Sequence, residues 1–196
     1  MKWIGLTGGI ATGKSTVKKL IEGRGHPVID ADLISHQLTE VGQLGYRNVV
    51  SHFGNSVVNP DKSLNRKALG QIIFNDPHQR TKLENILHPL IQVELAQQKK
   101  IHLGANRAMC FYDVPLLFEK DLKKEFDLVV MVWCDPQIQK LRLMTRNNFS
   151  ETEAELRLAA QLNMAAKIKN SDYCLDNSTN LLSLEKQVHN LVQTIG

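Results

Sequence analysis

Lys14 and Ser15 follow glycines at a spacing that can hold a polyphosphate. The run Gly8-Gly9-Ile10-Ala11-Thr12-Gly13-Lys14-Ser15-Thr16 fits G-x-x-x-x-G-K-[ST], a phosphate-binding loop. Glycine removes the Cβ atoms that would intrude, so backbone N–H groups can curl around phosphate oxygens, and a helix beginning at Lys14 adds partial positive charge aimed at the anion. Lys14 supplies a mobile full charge for the β- and γ-phosphates of a nucleotide, and the Ser15 hydroxyl can join the octahedral shell of Mg2+. Thr16 is a weaker candidate for an α-phosphate contact.

Further groups with the right chemistry come later in the chain. Asp30-Ala31-Asp32 follows an apolar run, and a carboxylate at a strand end can orient an acceptor hydroxyl and take its proton. Either acid would equally serve as the N-cap of a helix that starts before Leu33 and Ile34. Asp113 closes Met109-Cys110-Phe111-Tyr112 and is the strand-terminal acid that could hold Mg2+ together with Ser15, or an ordinary turn aspartate. His88 precedes Pro89 and is either a contact to an anionic substrate or a packed or surface histidine.

These residues need a frame. Trp3 to Thr7, Pro27 to Asp30, Ala108 to Asp113, Leu128 to Cys134 and Tyr173 to Asp176 are mostly continuous apolar runs, as parallel strands covered on both faces should be. Helical patterns separate them, which predicts an α/β fold: a doubly wound, five-stranded parallel sheet flanked by helices and folded as a single domain over 1–196. Lys14 to Glu22 is the first such helix, with Val17, Leu20 and Ile21 on one face.

About 75 residues separate the second and third strands, far more than a crossover needs. A helical insertion over about 60–104 is expected there, with helices at Asn65 to Phe74 and Pro77 to His102 and a break or kink near His88 caused by Pro89. It is the natural place for a second substrate, or a purely stabilising cap. A second outgrowth over about 138–168 carries Lys140, Arg142, Arg146, Arg157 and Lys167, and Ser150 with Glu153 forms a capping box. Those cations would suit a lid over a transferring phosphoryl group, or a solvated basic face.

Composition narrows the class. Hydrophobic residues are 42% and charged residues 22% of 196, ordinary values for a globular chain. No apolar run approaches about 18 residues and no signal-peptide pattern precedes the first strand, so a soluble cytoplasmic protein with no membrane partner is expected. The net charge of +4 comes from 24 basic and 20 acidic residues with no long basic block, which fits anionic small molecules and gives no nucleic-acid footprint. Cys110, Cys134 and Cys174 lack metal spacing and are expected as reduced core residues of strands.

Taken in order, several segments resemble the dephospho-CoA kinase family: Ile4 to Thr16, Asp30-Ala31-Asp32, Leu64 to Gly70, Leu83 to Pro89, Asp113 to Glu119, the lid through Arg157 and Gln161, and Asp172 to Ser178. The resemblance runs nearly end to end. It implies transfer of phosphate from ATP, with Mg2+, to the ribose 3′-hydroxyl of dephospho-coenzyme A. It implies Asp32 as catalytic base, Arg66 and His88 on the coenzyme side, Arg142 and Arg146 as lid cations, Asn177 near the adenine, and residues 11 to 16 as the phosphate cradle. The family usually has aspartate after the lid arginine; Asn147-Asn148 stands here and removes the charge for a lid ion pair. The alternative is another small-molecule kinase acting on a nucleoside or nucleotide hydroxyl. A regulatory GTPase is excluded because neither N-K-x-D nor D-x-x-G occurs. A monomer is expected.

Overall fold

The computed structural model describes residues 1–196. Strands β1 (Lys2–Gly8), β2 (Val28–Asp30), β3 (Met109–Asp113), β4 (Leu128–Trp133) and β5 (Tyr173–Asp176) form one sheet in the order β2-β3-β1-β4-β5. β1 runs parallel to β3 and β4, and β4 to β5. The chain winds outward from β1 to the β2 edge, returns through β3, and then reverses to β4 and β5. In such a sheet the reversal opens a crevice at the carboxyl ends of the central strands, where ligands bind. The expected α/β architecture is therefore present, with each strand within one residue of its expected bounds.

Two compact units divide the chain: Met1–Ile29 with His102–Gly196, and Asp30–Ile101. In the first, alternation along β1 sends Ile4 and Leu6 to one face, where they pack with Phe111, Val130, Val132 and Leu175 against helices α1 (Lys14–Glu22) and α9 (Leu181–Ile195). Val17 and Ile21 of α1 and Leu184, Val188 and Leu191 of α9 complete that layer. Each such side chain contributes about 1.5–3 kcal/mol when fully buried. On the other face Trp3 stacks on Tyr112 at 5.6 Å and on Phe126 at 6.0 Å between ring centroids.

Gly5 lies beneath that aromatic group. A Cβ there would stand 2.7 Å from Cδ1 of Leu117, which is fully buried, and 3.1 Å from the Phe126 ring. Gly5→Ala is expected to cost about 1–3 kcal/mol through overpacking. Urea unfolding of the variant checks this, and an unchanged midpoint would show that the sheet absorbs the methyl.

The second unit is helical. It holds α2 (Ala31–Leu38), α3 (Leu44–Phe53), α4 (Arg66–Asn75) and most of α5 (Pro77–Gly104) around Val49, Val57, Leu64 and Leu69. It begins at Asp30, whereas the insertion is expected from about residue 60. α2 and α3 are the difference: both are short, 8 and 10 residues, and so few turns give a helical period little room to show in sequence.

The expected break near His88 does not occur. α5 runs continuously for 28 residues with Pro89 inside it. Pro89 and Asn85 are both exposed, so the carbonyl displaced by the proline ring can turn to water instead of ending the helix. Leu83, Ile86 and Leu87 pack on the unit's small core, as their spacing requires. No helix is long and apolar enough to cross a membrane.

Candidate active site

The phosphate loop joins β1 to α1 inside the first unit. Gly13 has φ 93°, a left-handed value that favours glycine, and a Cβ on it would fall 2.0 Å from Nδ2 of Asn177. Ala11 is also left-handed, at φ 59°. Thr12 is fully buried, and its hydroxyl donates to the Gly9 carbonyl at 2.9 Å, so its side chain braces the loop from within. Thr16 lies on the first turn of α1 and does not line the cavity.

Above the loop is an open cavity of about 710 Å³ lined by Gly8, Gly9, Ala11, Gly13, Lys14, Ser15, Arg142 and Arg146, among others. All of it belongs to the first unit. Lys14 Nζ is paired with Oδ1 of Asp113, whose side chain is nearly buried at the end of β3. Register explains the meeting: Asp113 sits beside Leu6 in the β1–β3 ladder, so the strand end and the loop emerge together. The loop lysine, the strand-end acid and the Ser15 hydroxyl lie at one end of the sheet.

The lid cations divide by role. α6 (Pro136–Asn147) aims Arg142 and Arg146 at the cavity, and Arg146 Nε donates to Oδ1 of Asn147 at 2.9 Å. Lys140 instead bonds Glu151 at 2.5 Å and Glu155 at 3.2 Å, tying α6 to α7 (Glu151–Ala159). Arg157 lies over the Phe149 ring, 5.7 Å from its centroid. Lys167, on α8 (Met164–Lys169), is 1% exposed and paired with Glu119 at 2.5 Å. Three of the five expected cations are therefore scaffolding. Burial pushes the Glu119 carboxyl up, but the Lys167 ammonium and backbone donors more than reverse this and leave it below its ordinary value. The Ser150–Glu153 capping box forms as its spacing requires.

Asn177, expected near an adenine, is buried and does not line the cavity. Its amide donates to the Thr12 carbonyl at 2.8 Å, and its own carbonyl accepts from Arg142 Nη1 at 2.9 Å. Cys110 and Cys134 are buried as expected, Cys134 just beyond β4. Burial pushes the Cys134 thiol up, and the neighbouring Arg142 only partly opposes it. Cys174 departs from expectation: it lies in β5 but is exposed.

In the second unit, Asp30 is the N-cap of α2, its carboxylate accepting from Leu33 N at 3.0 Å. The choice left open between two acids is thereby made, and Asp32 stands exposed in the first turn with no capping duty. Arg66 opens α4 and donates to the Thr39 hydroxyl at 2.8 Å and the His36 carbonyl at 3.3 Å, which ties α4 to the end of α2. His88 is exposed on α5.

A family model described as dephospho-CoA kinase matches residues 2–183. The chain belongs to the dephospho-CoA kinase family. A dephospho-CoA kinase of Lactobacillus johnsonii is 40% identical over 194 residues, covering 99% of this chain and 98% of that one. A crystal structure of a Thermus thermophilus protein superposes with a TM-score of 0.84 at 28% identity over 98% of this chain and 96% of the other. The dephospho-CoA kinase from Campylobacter jejuni gives 0.74 at 28% identity with the same coverage of both chains.

One residue bonded to the phosphate loop, Gln139, carries little sequence signal. Gln139 is buried at 6% exposure and shares the inner side of α6 with Leu143. A glutamine taking a core position in a helical period is the sign that could have revealed it.

Proposed function

We propose that this member of the family transfers the γ-phosphoryl group of ATP to the ribose 3′-hydroxyl of dephospho-coenzyme A, in the cytoplasm. What supports the reading is the convergence of the phosphate loop, Lys14 and the two lid arginines on one cavity. A triphosphate carries its charge on a chain of oxygens, and these groups offer N–H donors and cations along it. Arg142 and Arg146 are assigned the charge that spreads over the transferring group, and Asp32 the proton of the acceptor hydroxyl.

The donor set fits a magnesium ion. Ser15 and Asp113 offer only hard oxygens, and few of them, as suits an ion bound mainly through phosphates and water. Those two residues would hold the ion, which when bound with the nucleotide neutralises charge on the phosphate oxygens.

The acceptor role falls to the second unit, where Arg66 offers a guanidinium beside the end of the helix that carries Asp32. Arg66→Ala is expected to raise KM for dephospho-coenzyme A by roughly tenfold or more, as for lost charged hydrogen bonds, with a smaller change for ATP. Arg66→Lys should recover only part of this, since lysine lacks the fork. Equal effects on both substrates would count against the division of labour.

The decisive experiment is a coupled ATP assay of the purified chain against dephospho-coenzyme A and a panel of nucleosides and nucleotides. The proposal requires dephospho-coenzyme A to give the highest kcat/KM by a wide margin. A nucleoside turned over as well or better would assign the chain to another acceptor.

A further inference from the structure

The phosphate loop is held open by an unfavourable conformation. Ala11 has φ 59°, a region L-residues enter at a cost, and it directly follows Ile10. The two peptide groups flanking Ile10 are each gripped by a glutamine from the lid region. Ile10 N–H donates to Oε1 of Gln161 at 2.9 Å, and the Ile10 carbonyl accepts from Nε2 of Gln139 at 2.7 Å. Gln139 is nearly buried, so its amide is aimed at the loop and shielded from water. Gln161 follows α7 and lines the cavity.

We propose that Gln139 and Gln161 are positioning residues that set the orientation of the Ile10 peptides, hold Ala11 left-handed, and so preorganise the loop for the nucleotide phosphates. Thr12 closes a turn on the Gly9 carbonyl, through its N–H at 3.3 Å and its hydroxyl at 2.9 Å, and in such a turn the central Ile10–Ala11 peptide and the φ of Ala11 flip together, so fixing that peptide holds Ala11 left-handed. The N–H groups of the following residues then point into the cavity before phosphate arrives, and the ordering cost of binding falls. Because both glutamines belong to the lid region, the loop's shape depends on where that region sits. The inference rests on the ATP reading above, and the two fail differently: an inactive wild type refutes the reaction, whereas an active wild type with indifferent glutamine variants refutes the clamp.

The test measures MgATP affinity by calorimetry and steady-state KM and kcat for Gln139→Leu and Gln161→Leu, each alone and combined with Ala11→Gly. Each single variant is expected to bind MgATP about three- to tenfold more weakly, the usual effect of losing one hydrogen bond. Glycine enters the left-handed region freely, so Ala11→Gly should restore much of the lost affinity in both backgrounds. A purely structural role for Gln139, or a direct nucleotide contact by Gln161, would not be relieved by glycine at residue 11. Unchanged MgATP affinity in both single variants, or no recovery with Ala11→Gly, would overturn the proposal. Gln161 is only partly buried and its variant should fold even if Gln139→Leu does not, which keeps the test decisive.

Discussion

Lys14→Ala is expected to lower turnover by about two to three orders of magnitude, the usual effect of removing one preorganised group that stabilises developing charge. Lys14 is the full cation on the loop itself, and it lines the cavity next to the backbone donors. Its charge acts on phosphate oxygens, so kcat should fall with it. The structure adds a second expectation that the motif alone would not give. Lys14 is the partner of Asp113, whose side chain is 8% exposed, and deleting the lysine leaves that carboxylate short of a cation. Losing one charged partner of a nearly buried carboxylate costs about 1–3 kcal/mol, so the melting temperature should also drop by several degrees. Lys14→Ala with Asp113→Asn should recover stability without recovering activity. Turnover within a few-fold of wild type for Lys14→Ala, measured with saturating ATP and Mg2+, would remove the phosphate-loop assignment.

Asp32→Asn should be nearly silent for folding and severe for catalysis. Asp30, not Asp32, caps α2, so the substitution leaves the cap bond to Leu33 in place. Asp32 lies exposed in the first turn, and losing its charge there forfeits only about 0.3–1 kcal/mol of interaction with the helix N-terminus. If Asp32 accepts the proton of the acceptor hydroxyl, turnover falls by roughly two to four orders of magnitude while ATP still binds. Asp30→Asn is the matched comparison, because asparagine caps about as well as aspartate, and it should keep both stability and activity. Steady-state turnover of both variants, with melting curves alongside, decides the matter. Near-normal turnover in Asp32→Asn would withdraw the base assignment, and a selective loss in Asp30→Asn would move it two residues earlier, to Asp30.

Much of this was legible in the chain itself, and the reasons are local. The phosphate loop is a contiguous string whose glycines, lysine and serine each answer a constraint set by neighbouring residues, so spacing alone identifies it. Parallel strands buried on both faces read as continuous apolar runs, which is why all five strands were recognisable. The capping box at Ser150 is likewise a relation across three residues. The failures are equally physical. Pro89 forecasts a broken helix only if its surroundings forbid the displaced carbonyl from reaching water, and exposure is a property of the packed unit. Which of Asp30 and Asp32 caps α2 depends on where the helix begins, and both positions satisfy the local preference.

What the sequence by itself determined is a phosphate-binding α/β chain of this family, because strand burial, helix period and loop chemistry are all encoded within about ten residues. Only the tertiary structure decided which charges serve the cavity. Lys140, Arg146 and Lys167 look alike as residue types, yet one ties two lid helices, one lines the cavity, and one is buried against Glu119. The grip of Gln139 and Gln161 on Ile10 spans 129 and 151 residues of chain. Contacts at such separation are set by how helices pack on the sheet, and no local preference of a glutamine records them.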